Sequence, residues 1–156
     1  MELKTTEIEF KRVPKTSIDK YISGWESLNL KLNNSYADWH PMQYWVSTEK
    51  SREIELYSNP ILGEDGVNKL KVPYSNEPVY VAIHSRALAD LVYTATINKK
   101  SLNPFRKEYN SLLNEEETIE YRNYLNKMAE EHEEIDEFLK TEFPKWYYRR
   151  NYKWIY

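Results

Sequence analysis

The period of the apolar residues changes once along this chain, just after Ser85, and that change limits the fold more than any other feature. Val79, Val81 and Ile83 share one face of an alternating run, while Tyr80, Ala82 and His84 share the other. Both faces are semi-apolar, the signature of a strand covered on two sides. Beyond Ser85, which sits where an N-cap belongs, Leu88, Leu91, Val92 and Ala95 recur at helical spacing and predict a helix over 86–97. Strands before the change and helices after it predict an α+β fold, not an alternating α/β one.

Upstream, the same two-residue period at 5–13, 28–32, 42–47, 53–58 and 68–72 predicts further strands, separated by proline, asparagine and glycine breaks. With 79–84 these make a small mixed or antiparallel sheet of about four to six strands within residues 5–84. A short amphipathic helix over 17–28 is read from Ile18, Tyr21, Ile22, Trp25 and Leu28, with Thr16 near its cap and Gly24 weakening it. Asn103-Pro104 marks another helix start. Asn114, with Glu117 three residues on, has the form of a capping box. It opens one long helix whose stripe is Tyr121, Leu125, Met128, His132, Ile135 and Leu139. The 156 residues read as one domain, 1–156, with 98–103 the best place for a hinge between a sheet-containing part (1–97) and a helical part (104–156).

Hydrophobic residues at 40% and aromatics at 15% argue for an ordered core despite 30% charged residues. The absence of Cys excludes disulfides, thiolate metal sites and cysteine nucleophiles. Three glycines, at 24, 63 and 66, do not form a phosphate loop, and no cofactor is expected. Gly63-Glu-Asp-Gly66 reads as a hairpin turn, since two acids fall far short of a Ca²⁺ shell. No stretch approaches a membrane span and the first residues lack a signal peptide's pattern, so the expectation is a cytoplasmic protein without membrane contact.

The charge is unevenly spread. Residues 115–137 hold ten acids and two bases, a sum of −8, which leaves +5 for the rest of a chain whose net charge is −3. In one continuous helix, Glu130, Glu131, Glu133, Glu134, Asp136 and Glu137 fall in the half nearer the negative dipole end, where acids are unfavourable. Three offsets are open: solvation, the chain's own Lys140, Lys145, Arg149 and Arg150 turning back after Pro144, or a basic partner surface. From Trp146 to Tyr156 six aromatic and three basic residues follow, with no acid after Glu142. Trp146, Arg149, Arg150 and Trp154 suit stacking and ion pairing, toward the core, a protein partner or single-stranded nucleic acid. Tyr152, Trp154 and Tyr156 alternate and predict a final extended strip packed on the core.

Catalytic signals are sparse. His84 beside Ser85, and His40 in Asp38-Trp39-His40-Pro41, suggest a small hydrolase or nuclease as one alternative, though no nucleophile elbow accompanies them. His132, Asp136 and Glu131 lie close on the acidic helix, but the spacing of a metal motif is missing, and no metal is expected. The leading expectation is a non-enzymatic protein that binds another macromolecule, most readily a protein with a basic or nucleic-acid-binding surface. Its partner-binding residues would be Glu130, Glu131, Glu133, Glu134, Asp136, Glu137, Trp146, Arg149, Arg150 and Trp154. Few glycines amid abundant Lys, Asn, Glu and Tyr fit AT-rich coding, so the sharpest form is a phage or mobile-element inhibitor of the anti-CRISPR or anti-restriction kind. A single-stranded nucleic-acid binder using the C-terminal segment is the other alternative.

Overall fold

The structure, a computed structural model, describes residues 8–32, 44–72 and 74–150. Its elements are α1 (Gly24–Leu28), β1 (Val67–Leu70), β2 (Val79–Ala82), α2 (His84–Ile97), a 3₁₀ turn (Asn103–Phe105), α3 (Tyr109–Leu112), α4 (Glu115–Ala129), α5 (Glu133–Glu142) and α6 (Pro144–Arg150). The class is α+β and mostly helical. Among the described residues no helix is long and apolar enough to cross a membrane.

The sheet is smaller than the alternation predicts. Two antiparallel strands pair from Val67 opposite Ala82 to Leu70 opposite Val79. The other segments meet as single rungs: Phe10 with Val46, Arg12 with Glu53, Tyr21 with Tyr57, and Ile22 with Val81. The reason lies in direction. Glu53 meets Arg12 in parallel, whereas Tyr57, one turn of chain later, meets Tyr21 antiparallel, because the chain reverses at Ser17–Lys20 between them. Neither ladder can propagate past that reversal. Leu28, Leu30 and Leu32 form no strand; Leu28 closes α1, and the Leu30 amide turns back onto the Ser27 carbonyl at 3.0 Å.

β2 does occupy the covered, central position its two semi-apolar faces predict. β1 lies on one edge, and on the other the Ile22 amide donates to the Tyr80 carbonyl at 2.9 Å while Ile22 accepts from the Ala82 amide at 2.8 Å. Val79 and Val81 enter a smaller core with Ile22, Leu30, Trp45, Ile54 and Val72. Ala82 enters a larger core that runs from Tyr21 through α2 and α4 to Leu139, thereby joining residues on both sides of 98–103. Each large side chain sealed in these cores contributes roughly 1.5–3 kcal/mol.

The helix predicted over 17–28 shrinks to Gly24–Leu28. Ser17 takes the Asp19 and Lys20 amides onto its hydroxyl in a tight turn, Tyr21 and Ile22 run extended, and Thr16 accepts from the Tyr80 amide at 3.0 Å instead of capping a helix. α2 starts two residues earlier than the sequence signal: Ile83 holds the cap position, His84 is the first helical residue, and Ser85 lies inside the helix with its buried hydroxyl unpartnered. Eleven of its residues are buried, as expected of a helix surrounded by other elements. Its end is a Schellman arrangement: the Lys100 amide reaches the Ala95 carbonyl and the Lys99 amide the Thr96 carbonyl, with Lys99 at φ 57°, where glycine is usual.

The long acidic helix is two helices. The capping box at Asn114 is present in both directions, with the Glu117 amide donating to Asn114 at 2.8 Å and Glu117 accepting from the Asn114 amide at 3.0 Å. α4 ends at Ala129, and α5 begins after His132, whose backbone is extended. The break reverses the electrostatics. Glu133, Glu134 and Asp136 become first-turn residues at a positive dipole end, where each gains a few tenths of a kcal/mol. The Tyr121, Leu125, Met128, Ile135 and Leu139 stripe still faces the core, while His132 stays half-buried against the Tyr93 ring.

Candidate binding cleft

α5 buries Ile135, Phe138 and Leu139 and turns Glu133, Glu134 and Glu137 outward. Those three carboxylates line a cleft of about 510 Å³ whose other wall is the 100–106 loop. Phe138 and Leu102 contribute apolar surface at its base, and Lys100 and Arg106 stand on the loop side. None of the three glutamates takes part in an ion pair among the described residues. The six acids of the expected face therefore divide. Glu133, Glu134 and Glu137 belong to the cleft, Glu130 and Glu131 to the exposed break between helices, and Asp136 to the C-terminal segment.

That segment is helical from Pro144 to Arg150, where the described residues end. Trp154, with Tyr152 and Tyr156, lies outside the described residues. Asp136 accepts from the Tyr147 hydroxyl at 2.9 Å and from Arg150 at 3.4 Å. The Arg122 and Arg150 guanidiniums lie 4.6 and 5.5 Å from the Trp146 ring centre, and Arg150 is 4.3 Å from that of Tyr147. Lys140 stands over Tyr148 at 5.7 Å. Such contacts contribute roughly 0.5–1 kcal/mol each at exposed sites. With Trp146 and Tyr147 against the larger core, this helix uses those two rings and Arg150 internally and leaves Tyr148 and Arg149 exposed.

The chain's surplus cations collect elsewhere. A second groove, of about 590 Å³, is lined by Arg12, Lys15 and Lys69 with one acid, Glu77, and it adjoins Val79 of the smaller core. Arg12 is partly engaged, 3.5 Å from Glu53, and Lys69 lies 5.7 Å from the Tyr80 ring centre.

His40 lies outside the described residues, and His84 lines neither the cleft nor the groove. Its Nε2 is 2.9 Å from the Leu30 carbonyl, which can only accept, so the proton sits on Nε2 and Nδ1 is the unpartnered atom. Nδ1 faces Glu117 at 4.0 Å. Burial pulls the His84 pKa below the ordinary 6.5, against the opposing pull of the Leu30 carbonyl and Glu117. The unfolded chain therefore binds a proton that the folded chain resists. Stability from this site is complete above the unfolded value and is lost as pH falls from there through the lower folded value. Replacing His84 by Gln, which retains a donor, is expected to shrink the loss of denaturant midpoint between about pH 7.5 and 5.5 relative to the native chain. An unchanged pH dependence would show that another group sets it.

Among the described residues no group of three His, Cys, Asp or Glu side chains is placed to hold a metal ion. The acidic half of the cleft is visible in the sequence; Lys100, Arg106 and Leu102 are not, because they lie about thirty residues before α5 in a loop that reads only as a hinge. Comparison of the chain with protein-family models, with curated proteins and with solved structures finds no match.

Proposed function

We propose that this chain is a protein-binding domain that captures a basic segment of another protein in the cleft along α5. The observation that carries this reading is the set of three cleft carboxylates without ion pairs, Glu133, Glu134 and Glu137, held on a rigid helix beside exposed parts of an apolar base. Carboxylates so spaced attract cationic side chains over several ångströms, and the Leu102–Phe138 surface gives the aliphatic stems of Lys or Arg something to lie on. A basic surface evolved for nucleic-acid phosphates offers the matching charge. The specific form of the proposal is therefore a cytoplasmic inhibitor or accessory factor of phage or mobile-element type, blocking a host nucleic-acid-binding protein.

Replacing Glu133, Glu134 and Glu137 together by Gln tests this. Retention of nuclease-treated partner from a host lysate is expected to fall by roughly 10- to 100-fold, about 0.5–1 kcal/mol for each pair at a partly exposed interface. Binding to the native chain should also weaken between low and physiological salt. Capture that survives the triple replacement but disappears on nuclease treatment would transfer the function to nucleic acid, with the Arg12, Lys15 and Lys69 groove in place of the C-terminal helix as its seat.

A further inference from the structure

The cleft carries charges of both signs, and their arrangement narrows the partner. Glu133, Glu134 and Glu137 form one wall; Lys100 and Arg106 stand on the other, with Leu102 and Phe138 beneath. A basic segment satisfies the first wall and by itself leaves Lys100 and Arg106 without a counter-charge. A polyamine does the same. The occupant must present a cation, a short apolar stem and an anion within about 510 Å³, a volume within the usual range for small ligands.

The cationic wall is held in position. Arg106 donates through Nε to the Asn103 side chain at 3.2 Å, which orients the guanidinium and leaves both terminal nitrogens without a hydrogen-bond partner among the described residues. A planar fork so oriented matches a carboxylate in two parallel hydrogen bonds. The loop is fixed at both ends. Lys99 at φ 57° closes α2, and Lys107 at φ 60° donates its amide to the Glu142 carboxylate at 2.7 Å, on the last residue of α5. Two non-glycine residues in the left-handed region bracket one loop, each at a cost of roughly 1–2 kcal/mol.

We infer that the cleft takes a protein C-terminus ending in Arg or Lys, with the side chain against Glu133, Glu134 and Glu137 and the terminal carboxylate on Arg106 and Lys100. A chain end places both charges on one residue and needs only one exit from the cleft, whereas an internal Arg-Asp pair needs two. This rests on the function proposed above and names its partner chemistry.

Four peptides labelled at the N-terminus decide it by fluorescence anisotropy: one ending Ser-Leu-Arg with a free carboxylate, the same with a terminal amide, one carrying an internal Leu-Arg-Asp-Gly with a terminal amide, and Ser-Leu-Gln with a free carboxylate. The free Ser-Leu-Arg acid is expected to bind at least about tenfold more tightly than each of the others, the effect of one charge-assisted bidentate contact. Arg106→Gln, at an exposed position, should abolish the preference for acid over amide, and Lys100→Gln should reduce it. Equal binding of acid and amide, both weakened by the Glu-to-Gln triple variant, overturns the chain-end assignment and leaves capture of basic segments standing. The internal peptide binding as well as the free acid also overturns it. Absence of binding by every peptide overturns both.

Discussion

Replacing Asp90 by Ala is expected to destabilise the folded chain by about 3–5 kcal/mol, the usual consequence of removing one partner of a buried ion pair. Asp90 and Arg86 are 1% and 0% exposed. Asp90 accepts from Arg86 Nε at 3.1 Å, Ser23 Oγ at 2.7 Å and Asn59 Nδ2 at 2.9 Å. Arg86 also donates to the Tyr21 hydroxyl at 2.7 Å and to the Asp65 carbonyl, and burial pushes the Tyr21 phenol far above its ordinary range, so it stays neutral. A guanidinium cannot shed its proton to escape an apolar site. Without Asp90 it is left with neutral partners only, and Ser23 and Asn59 each lose an acceptor. Guanidinium chloride unfolding measures the loss. A cost under about 1 kcal/mol would mean that water reaches the pair. The double variant Arg86→Met with Asp90→Leu should recover most of it, because the pair's desolvation cost disappears together with its attraction.

That network also explains how the N-terminal half stays together with so little sheet. Tyr21, Ser23, Asn59 and Asp65 lie in segments that make isolated rungs and turns, and all four converge on one helical turn of α2. Side-chain hydrogen bonds do there what ladder bonds would do in the expected four-to-six-stranded sheet. Alternation at 5–13 and 53–58 reports that one side of the chain is buried; it carries no information about whether a neighbour continues in the same direction for a second rung. The strands that formed, Val67–Leu70 and Val79–Ala82, are those joined in sequence by a short connection, so their register propagates.

The acidic helix offers a different lesson. Its 4-3-4-3-4 stripe persists across the break because both helices pack on the same core, so periodicity cannot reveal the interruption. The charge pattern does. Six acids in what reads as the C-terminal half of one helix conflict with the dipole, and for Glu133, Glu134 and Asp136 the conflict ends when His132 opens a second N-terminus, while Glu130 stays at the C-cap of α4. Local signals with a fixed geometry, such as the Asn114–Glu117 box, were legible outright. Of the cleft, the Glu133, Glu134 and Glu137 wall was legible; its cationic wall depends on a tertiary contact with a distant loop, and the buried Arg86–Asp90 pair could be suspected only from i,i+4 opposite charges on the most apolar helix.

Gly63 and Gly66, identical by sequence reasoning as the two ends of one turn, are expected to respond very differently to alanine. Both have positive φ, 59° and 81°, so each substitution carries the left-handed penalty of roughly 1–2 kcal/mol, partly offset by a less flexible unfolded chain. At Gly63 a Cβ meets nothing within 4 Å, and the net cost should be about 1 kcal/mol. At Gly66 it would lie 2.7 Å from the Tyr124 hydroxyl, 3.0 Å from Arg86 Cβ and 3.3 Å from Ile83 Cγ1. Arg86 is locked in the buried network, and the Ile83 amide donates to the Gly66 carbonyl at 2.8 Å, so neither neighbour can retreat without breaking a bond. Overpacking of this kind adds roughly 1–3 kcal/mol, which brings Gly66→Ala to about 2–4 kcal/mol. Unfolding midpoints of the two variants measure the difference. The Tyr124→Phe background separates the causes: it removes the nearest atom, together with the hydrogen bond from Tyr124 to Asp65 at 3.2 Å, and should recover part of the Gly66→Ala loss while leaving Gly63→Ala unaltered. Equal costs at the two glycines would mean that α4 and α2 yield around Gly66, and that backbone conformation alone sets the penalty.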